Sequence, residues 1–275
     1  MWPVVNQALN AVVDVLLWPV QGLGDIWQII VLALPATVLA LLVFRLVSNQ
    51  DAIRRHKNRI KAYLLELLLY KDDLRVTLSA QRHILGHTMR YMGHALLPMA
   101  VMLLPFLLIM VQVESRFAFQ GLEPGESTIL AVAVDPEQQK IRQTAYRLEL
   151  PPGIQLETPA VRMPASGEVA WRIRAGSPGQ YTATITAGEH AIEKTIMVGA
   201  QYTRLAPSVY RADDFRTLGY PAEAALDDSQ PLASATVEYR RARGEFAGLS
   251  SASWLLFLFS IIFGFALRGA LGVTF

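Results

Sequence analysis

The chain has 275 residues, 52% of them hydrophobic and only 17% charged, with a formal net charge of +2. A soluble domain of this size carries about 25% charged residues, so the composition argues against an ordinary water-soluble globule, and the near-neutral balance argues against a nucleic-acid surface. The chain contains no cysteine, which excludes disulfides, thiolate metal sites and a cysteine nucleophile.

Met1 opens a segment, 1–25, that reads as an external amphipathic helix lying in the membrane surface. Asn6, Gln7, Asn10 and Asp14 share one face, and valines and leucines cover much of the remainder. Trp2, Trp18 and Trp27 suit the headgroup layer. Pro19, Gly22 and Gly24 predict a break before the next helix; the other reading of 1–25 is an extension of the first span.

Residues 26–44 hold no charge, long enough as a helix to cross the roughly 30 Å hydrocarbon core. The predicted first span is 26–48. Residues 1–27 contain no Lys or Arg, so a cleaved signal peptide is not expected. Basic residues follow instead: Arg45, then Arg54, Arg55, Lys57, Arg59 and Lys61. The positive-inside bias places 49–92 in the cytoplasm and the N-terminus outside.

Residues 49–92 read as a helical hairpin with coiled-coil character. Ile53, Ile60, Leu64, Leu67 and Leu68 on the first helix are expected to face Leu74, Leu78, Leu85, Met89 and Met92 on the second. Its basic surface either holds topology or meets lipid headgroups, ribosome or client chain. The second span, 93–114, contains Pro98 and Pro105 and invites kinks.

From 115 to 199 the pattern changes to period two. Strands are predicted at 127–134, 146–150, 169–173, 180–186 and 191–198, punctuated by turns at Pro124-Gly125, Pro151-Pro152-Gly153, Pro178-Gly179 and Gly188. Short strands at this spacing predict an exported Ig-like β-sandwich. Residues 200–248 are less regular, with a strand expected at 235–240. No catalytic constellation stands out, so an enzyme is not expected. His190 and Glu189 read as a hairpin tip, and Asp213-Asp214 and Asp227-Asp228 as turn formers rather than a calcium site. No metal or cofactor is predicted.

The last span is predicted at 249–271 and returns the C-terminus to the cytoplasm. Ser253, Phe257, Ser260, Gly264 and Arg268 form one stripe on it. On the first span, Thr37 and Arg45 share a stripe. Charged residues near hydrocarbon are costly and point to function. These six polar or small residues, Arg45, Thr37, Ser253, Ser260, Gly264 and Arg268, are the candidates for a polar groove. The alternative is that both arginines snorkel to phosphates and the small residues permit close helix packing.

The whole is thus a membrane α-helical chain of three spans with an inserted Ig-like β-sandwich. Local matches add a family. Leu34-Pro35 followed by Phe44-Arg45 and Asn49-Gln50-Asp51, then Leu97-Pro98-Met99 through Leu104-Pro105-Phe106, resemble the YidC/Oxa-type membrane protein insertase superfamily, with its ER membrane protein complex insertase subunit and archaeal relatives. Ser250-Ser251-Ala252-Ser253-Trp254 leading to Arg268-Gly269-Ala270-Leu271-Gly272 is similar to the last span of the ER-complex branch. The resemblance covers 1–114 and 247–272 and leaves the β domain outside. It implies a three-span core with a hydrophilic groove open to cytoplasm and lipid, with Arg45 as groove arginine. The expected function is therefore an insertase or membrane chaperone for client transmembrane segments in a bacterial inner membrane. The rival is a structural or accessory subunit of a membrane complex that binds an exported partner through the β domain. Expected partners are lipids, client membrane proteins or other subunits, and nucleic acid only through the ribosome.

Overall fold

The computed structural model describes residues 2–70, 72–134, 144–199, 204–242 and 244–273. Those residues form a mixed helical and β chain with five α-helices and nine strands. Three helical segments are long and apolar enough to cross a membrane: Trp2–Val20, Asp25–Val47 and Leu74–Phe117. Ser251–Leu267 is apolar but shorter, although helical hydrogen bonds continue beyond it, from Leu271 N to Leu267 O at 3.0 Å. This set differs from the three expected spans, because the N-terminal helix qualifies by length and composition and the last does not.

The chain divides into two compact units. The first takes Met1–Asp25 and Met110–Leu255. In it, β1 (Ser127–Val134) lies between β5 (Glu168–Ala175) and β9 (Leu232–Val237), antiparallel to both. β3 (Ile154–Leu156) and β4 (Val161–Met163) pair with successive parts of β5, and β8 (Ser208–Tyr210) pairs with β9. A second antiparallel sheet runs in the order β2 (Tyr146–Glu149), β6 (Gly179–Ala187), β7 (His190–Val198). Alternate residues of both sheets enter one core: Leu130 and Val132 of β1, Trp171 and Ile173 of β5, Ile185 of β6 and Ile196 of β7. Each such buried side chain stabilises the fold by about 1.5–3 kcal/mol before entropy is counted.

Two expectations are corrected here. Residues 115–199 are not a domain apart from 200–248, because β9 hydrogen-bonds directly to β1 and Val209, Leu226, Leu232, Ala235 and Val237 belong to the same core. The strand expected at 235–240 begins earlier, at Leu232, and ends at Val237. The turns fall as predicted. Gly153 is required at its turn, with φ of +115° and a position where a Cβ would lie 2.6 Å from the Tyr181 ring. Asp214 and Asp227 accept from Arg216 N at 2.8 Å and Ser229 N at 3.0 Å, the behaviour of turn formers.

The N-terminal helix α1 (Trp2–Leu17) belongs to this unit. Apart from the exposed Gln7, its polar stripe is turned toward other parts of the unit, whereas a helix floating on a membrane would turn it to water. Asn6 Nδ2 donates to Thr217 O and Asn10 Nδ2 to Pro221 O, both at 2.7 Å. Asp14 pairs with Arg116 at 2.6 Å and Arg204 at 3.0 Å. Asn6, Asn10 and Asp14 are engaged internally, while Val15, 73% exposed, and Trp18, 77% exposed, lie on the outward side.

A buried ion pair ties the irregular segment to the second sheet. Lys194 on β7 is fully buried, and its Nζ donates to Glu223 Oε1 at 2.5 Å and Ala206 O at 2.6 Å. Burial pushes the Lys194 ammonium below its ordinary value, against the opposing pull of Glu223.

The second unit takes Ile26–Ile109 and Leu256–Phe275. It holds α2 (Asp25–Val47), α3 (Gln50–Leu69), the greater part of α4 (Leu74–Phe117) and most of α5 (Ser251–Leu267). Asn49 caps α3, its Oδ1 accepting from Ala52 N at 3.0 Å. Hairpin helix and second span are not separate elements: α4 runs unbroken for 44 residues through Gly86, Gly93, Pro98 and Pro105.

The seam of the α3–α4 hairpin also differs from expectation. Aromatic and imidazole rings line it instead of leucines. His94 stacks on His56, His56 Nδ1 lies 3.0 Å from His87 Nδ1, and Tyr63 stacks on both His87 and His83. Leu64, Leu68, Leu74, Leu78, Leu85, Met89 and Met92 are exposed. Flat rings on each helix stack and share a hydrogen bond across the gap, so the stripe opposite them is left outside.

Candidate functional site

Within the second unit, α2, α4 and α5 enclose a groove of about 510 Å³. Its floor is built from small residues. Ala36, Thr37 and Ala40 come from α2, and Ser260 and Gly264 from α5. Its walls carry Met99, Met102 and Phe106 from α4 and Phe257 and Phe265 from α5.

Local sequence explains the shape. Thr37 is buried, and its hydroxyl donates to Ala33 O of its own helix at 2.7 Å, so it brings no unmet polar demand to the floor. A Cβ placed on Gly264 would make ordinary contact, 3.9 Å, with the Thr37 methyl. Thr37 and Gly264 are thus a point where α2 and α5 approach each other, as small residues on facing helices allow. Met99, Met102 and Phe106 recur at three- and four-residue spacing and so share one face of α4. That spacing is visible in the sequence.

The six predicted groove residues separate into two groups. Thr37, Ser260 and Gly264 line the groove together. Arg45 does not line it, although its neighbour Phe44 does; its Nη1 donates to Leu271 O, the carbonyl just past the end of α5, at 3.2 Å. Arg268 is exposed, with its guanidinium 5.4 Å from the Phe265 ring. Ser253 lies in the first unit, where its hydroxyl donates to Glu114 Oε1 at 2.5 Å. Ser250 adds its backbone N–H and hydroxyl to the same carboxylate oxygen, at 3.0 and 2.8 Å. Glu114 thus caps α5 at the end where a helix favours negative charge.

The expected hydrophilic groove with an arginine in it is not what these residues build. Thr37 and Ser260 are the only polar side chains among the lining residues, and none of the lining residues is charged. The arrangement suits an apolar guest with a smooth or small-residue face. The basic residues Arg54, Arg55, Lys57, Arg59 and Lys61 are all exposed on α3. Among the described residues no three His, Asp or Glu side chains gather where they could hold a metal ion. Comparison with protein-family models, with curated proteins and with solved structures finds no match to this chain.

Proposed function

We propose that this chain is an integral membrane protein of the YidC/Oxa type, acting as a membrane chaperone or insertase that receives a client transmembrane segment in the α2–α4–α5 groove. The observation that carries this reading is the groove itself: an open apolar trough with an alanine, threonine, serine and glycine floor, where a second helix can approach closely. Methionine walls adapt to guests of different shape. The uncharged lining favours shelter of apolar segments over passage of charged tails. In this reading α2, α4 and α5 span a bacterial inner membrane, the 49–92 hairpin and the C-terminus are cytoplasmic, and the Ig-like sandwich is periplasmic. The outward valines and tryptophan of α1 then lie against the headgroup layer.

The apolar lining and the engagement of Arg45 with Leu271 O also favour a second reading, an accessory subunit whose groove is held by one permanent partner helix. Site-specific photo-crosslinking from Met102 and Phe257 in native membranes separates the two. A spread of adducts that changes with the newly made proteins supports the chaperone; one constant adduct supports the subunit. Gly264→Leu fills the floor and should remove the adducts at unchanged protein level. Adducts that persist unchanged in Gly264→Leu would place the guest elsewhere. Because the chain has no cysteine, single cysteines at Ser79 and Ser177 test topology directly. Labelling of Ser177→Cys in intact cells, and of Ser79→Cys only after permeabilisation, is expected.

A further inference from the structure

The chain enters α5 through a tight turn that carries an exposed ring. Phe246 N donates to Leu249 O at 3.0 Å, and Leu249 N donates back to Phe246 O at 3.1 Å. Between them Ala247 and Gly248 have φ of +51° and +80°, as a two-residue type I′ hairpin requires. Ala247 is the only non-glycine with positive φ among the described residues, and such a backbone costs energy wherever it is kept. What the turn presents is Phe246, 70% exposed. We infer that this turn is a membrane anchor, with Phe246 inserted at the boundary between headgroups and acyl chains of the outer leaflet. The inference rests on the reading of α5 as a span.

The turn is held from both sides. Trp254, in the first turn of α5, donates from Nε1 to Phe246 O at 3.0 Å, and the two rings lie 5.6 Å apart. Arg241 Nη1 donates to Gly248 O at 3.2 Å and to Glu245 Oε1 at 2.6 Å, so the flanking carboxylate has its counter-charge. The tip from Phe246 to Leu249 carries no charge. A fixed, neutral tip bearing an aromatic ring suits the interfacial layer of a bilayer.

Helix length sets the depth. The 17 residues of α5 reach about 25 Å at 1.5 Å per residue, against a hydrocarbon core of about 30 Å. From Leu249 to Leu267 there is no charged residue, and Arg268 closes the stretch. Phe257, Leu258, Ile261, Ile262 and Phe265 are exposed along it, as lipid-facing residues are. A helix this short has no turn to spare for water, so its first turn, and Trp254 with it, sits at the edge of the hydrocarbon. The bond from Trp254 puts Phe246 in the same layer. What covers the exposed ring is therefore lipid, as it is for the α5 residues that follow.

Because the chain has no cysteine, single cysteines in the full chain, carried in lipid nanodiscs, can each bear a nitroxide. Power saturation compares its collisions with oxygen, which concentrates in lipid, and with a water-soluble nickel chelate. Ser229→Cys, at an exposed turn of the β domain, is the aqueous reference, and Leu258→Cys on α5 is the lipid reference. The Phe246→Cys label should favour oxygen, as Leu258→Cys does, and the Ser229→Cys label should favour nickel. A Phe246→Cys label that favours nickel while Leu258→Cys favours oxygen overturns the inference and leaves the span standing. Nickel at both positions overturns the span and the inference together. A second measurement keeps the ring. With p-benzoylphenylalanine in place of Phe246, irradiation of native membranes should add the mass of a phospholipid. A protein adduct instead would make the turn a docking site for another chain and overturn the inference.

Discussion

Asp14 and Arg116 are paired at 2.6 Å although 102 residues separate them in the chain. The contact joins the first helix to the end of α4, and Arg204 reinforces it from the segment after β7.

Asp14→Asn should therefore loosen α1. Asp14 keeps 40% of its side chain exposed, so solvent screening limits the cost to about 1 kcal/mol. Asn6→Leu removes the donor to Thr217 O and should act in the same direction. Limited proteolysis in the 18–25 segment reads both, and unchanged cleavage rates would show that α1 is held by its apolar contacts alone.

Lys194 and Glu223 give an asymmetric prediction. Glu223→Gln leaves a fully buried ammonium without its counter-charge and should cost about 3–5 kcal/mol. Replacing both partners, as Lys194→Met with Glu223→Leu, should cost far less, since the desolvation of two charges also disappears. Thermal unfolding of the purified full chain distinguishes them. Additive losses in the double variant would show that the pair is not coupled.

The capping carboxylate at α5 predicts a graded series. Glu114→Gln retains an acceptor oxygen and should be mild. Glu114→Ala leaves the buried Ser250 and Ser253 hydroxyls unmet and should cost about 2 kcal/mol. Hydrogen exchange in the first turn of α5 is the measurement, and equal protection in both variants would contradict the assignment.

The ring ladder makes the hairpin sensitive to acid. Burial, then His87, His94, Arg90 and Arg55, hold the His56 imidazole below its ordinary value. Between that lowered value and about 6.5 the paired hairpin binds fewer protons than the separated one. Its stability thus rises with pH across this window and is lost as pH falls through it. Spin labels at Asn58 and Gln81 should report separation on acidification, and His56→Phe, which keeps a ring but cannot protonate, should flatten the response.

Legibility in the sequence followed the physical strength of each signal. β1, β5, β6 and β7 alternate over eight or nine residues between Pro-Gly or Gly turns, and the predicted strands coincide with them. β3, β4 and β8 are three residues long, too short for a period to register. Thr37, Ser260 and Gly264 were readable as groove residues because small side chains at four-residue spacing must share a face. Ser253 and Arg268 continue the same stripe but leave the groove, since its ends meet Glu114 and the Phe265 ring instead. In the hairpin, leucine periodicity identifies a face but not whether that face turns inward, and the competing His and Tyr face carries no apolar period. The Lys194–Glu223 pair depends on tertiary placement across 29 residues and leaves no local mark.

The bonding of α1 also fixes a timetable. Asn6 and Asn10 hydrogen-bond to carbonyls 211 residues further along the chain. At a synthesis rate of about 5–20 residues per second, those carbonyls emerge roughly 10–40 seconds after the helix that needs them. The polar side chains of α1 are thus satisfied only after those later segments have emerged. Throughout that interval its asparagines must be kept from wrong partners, so docking of α1 is expected to be a late step in folding.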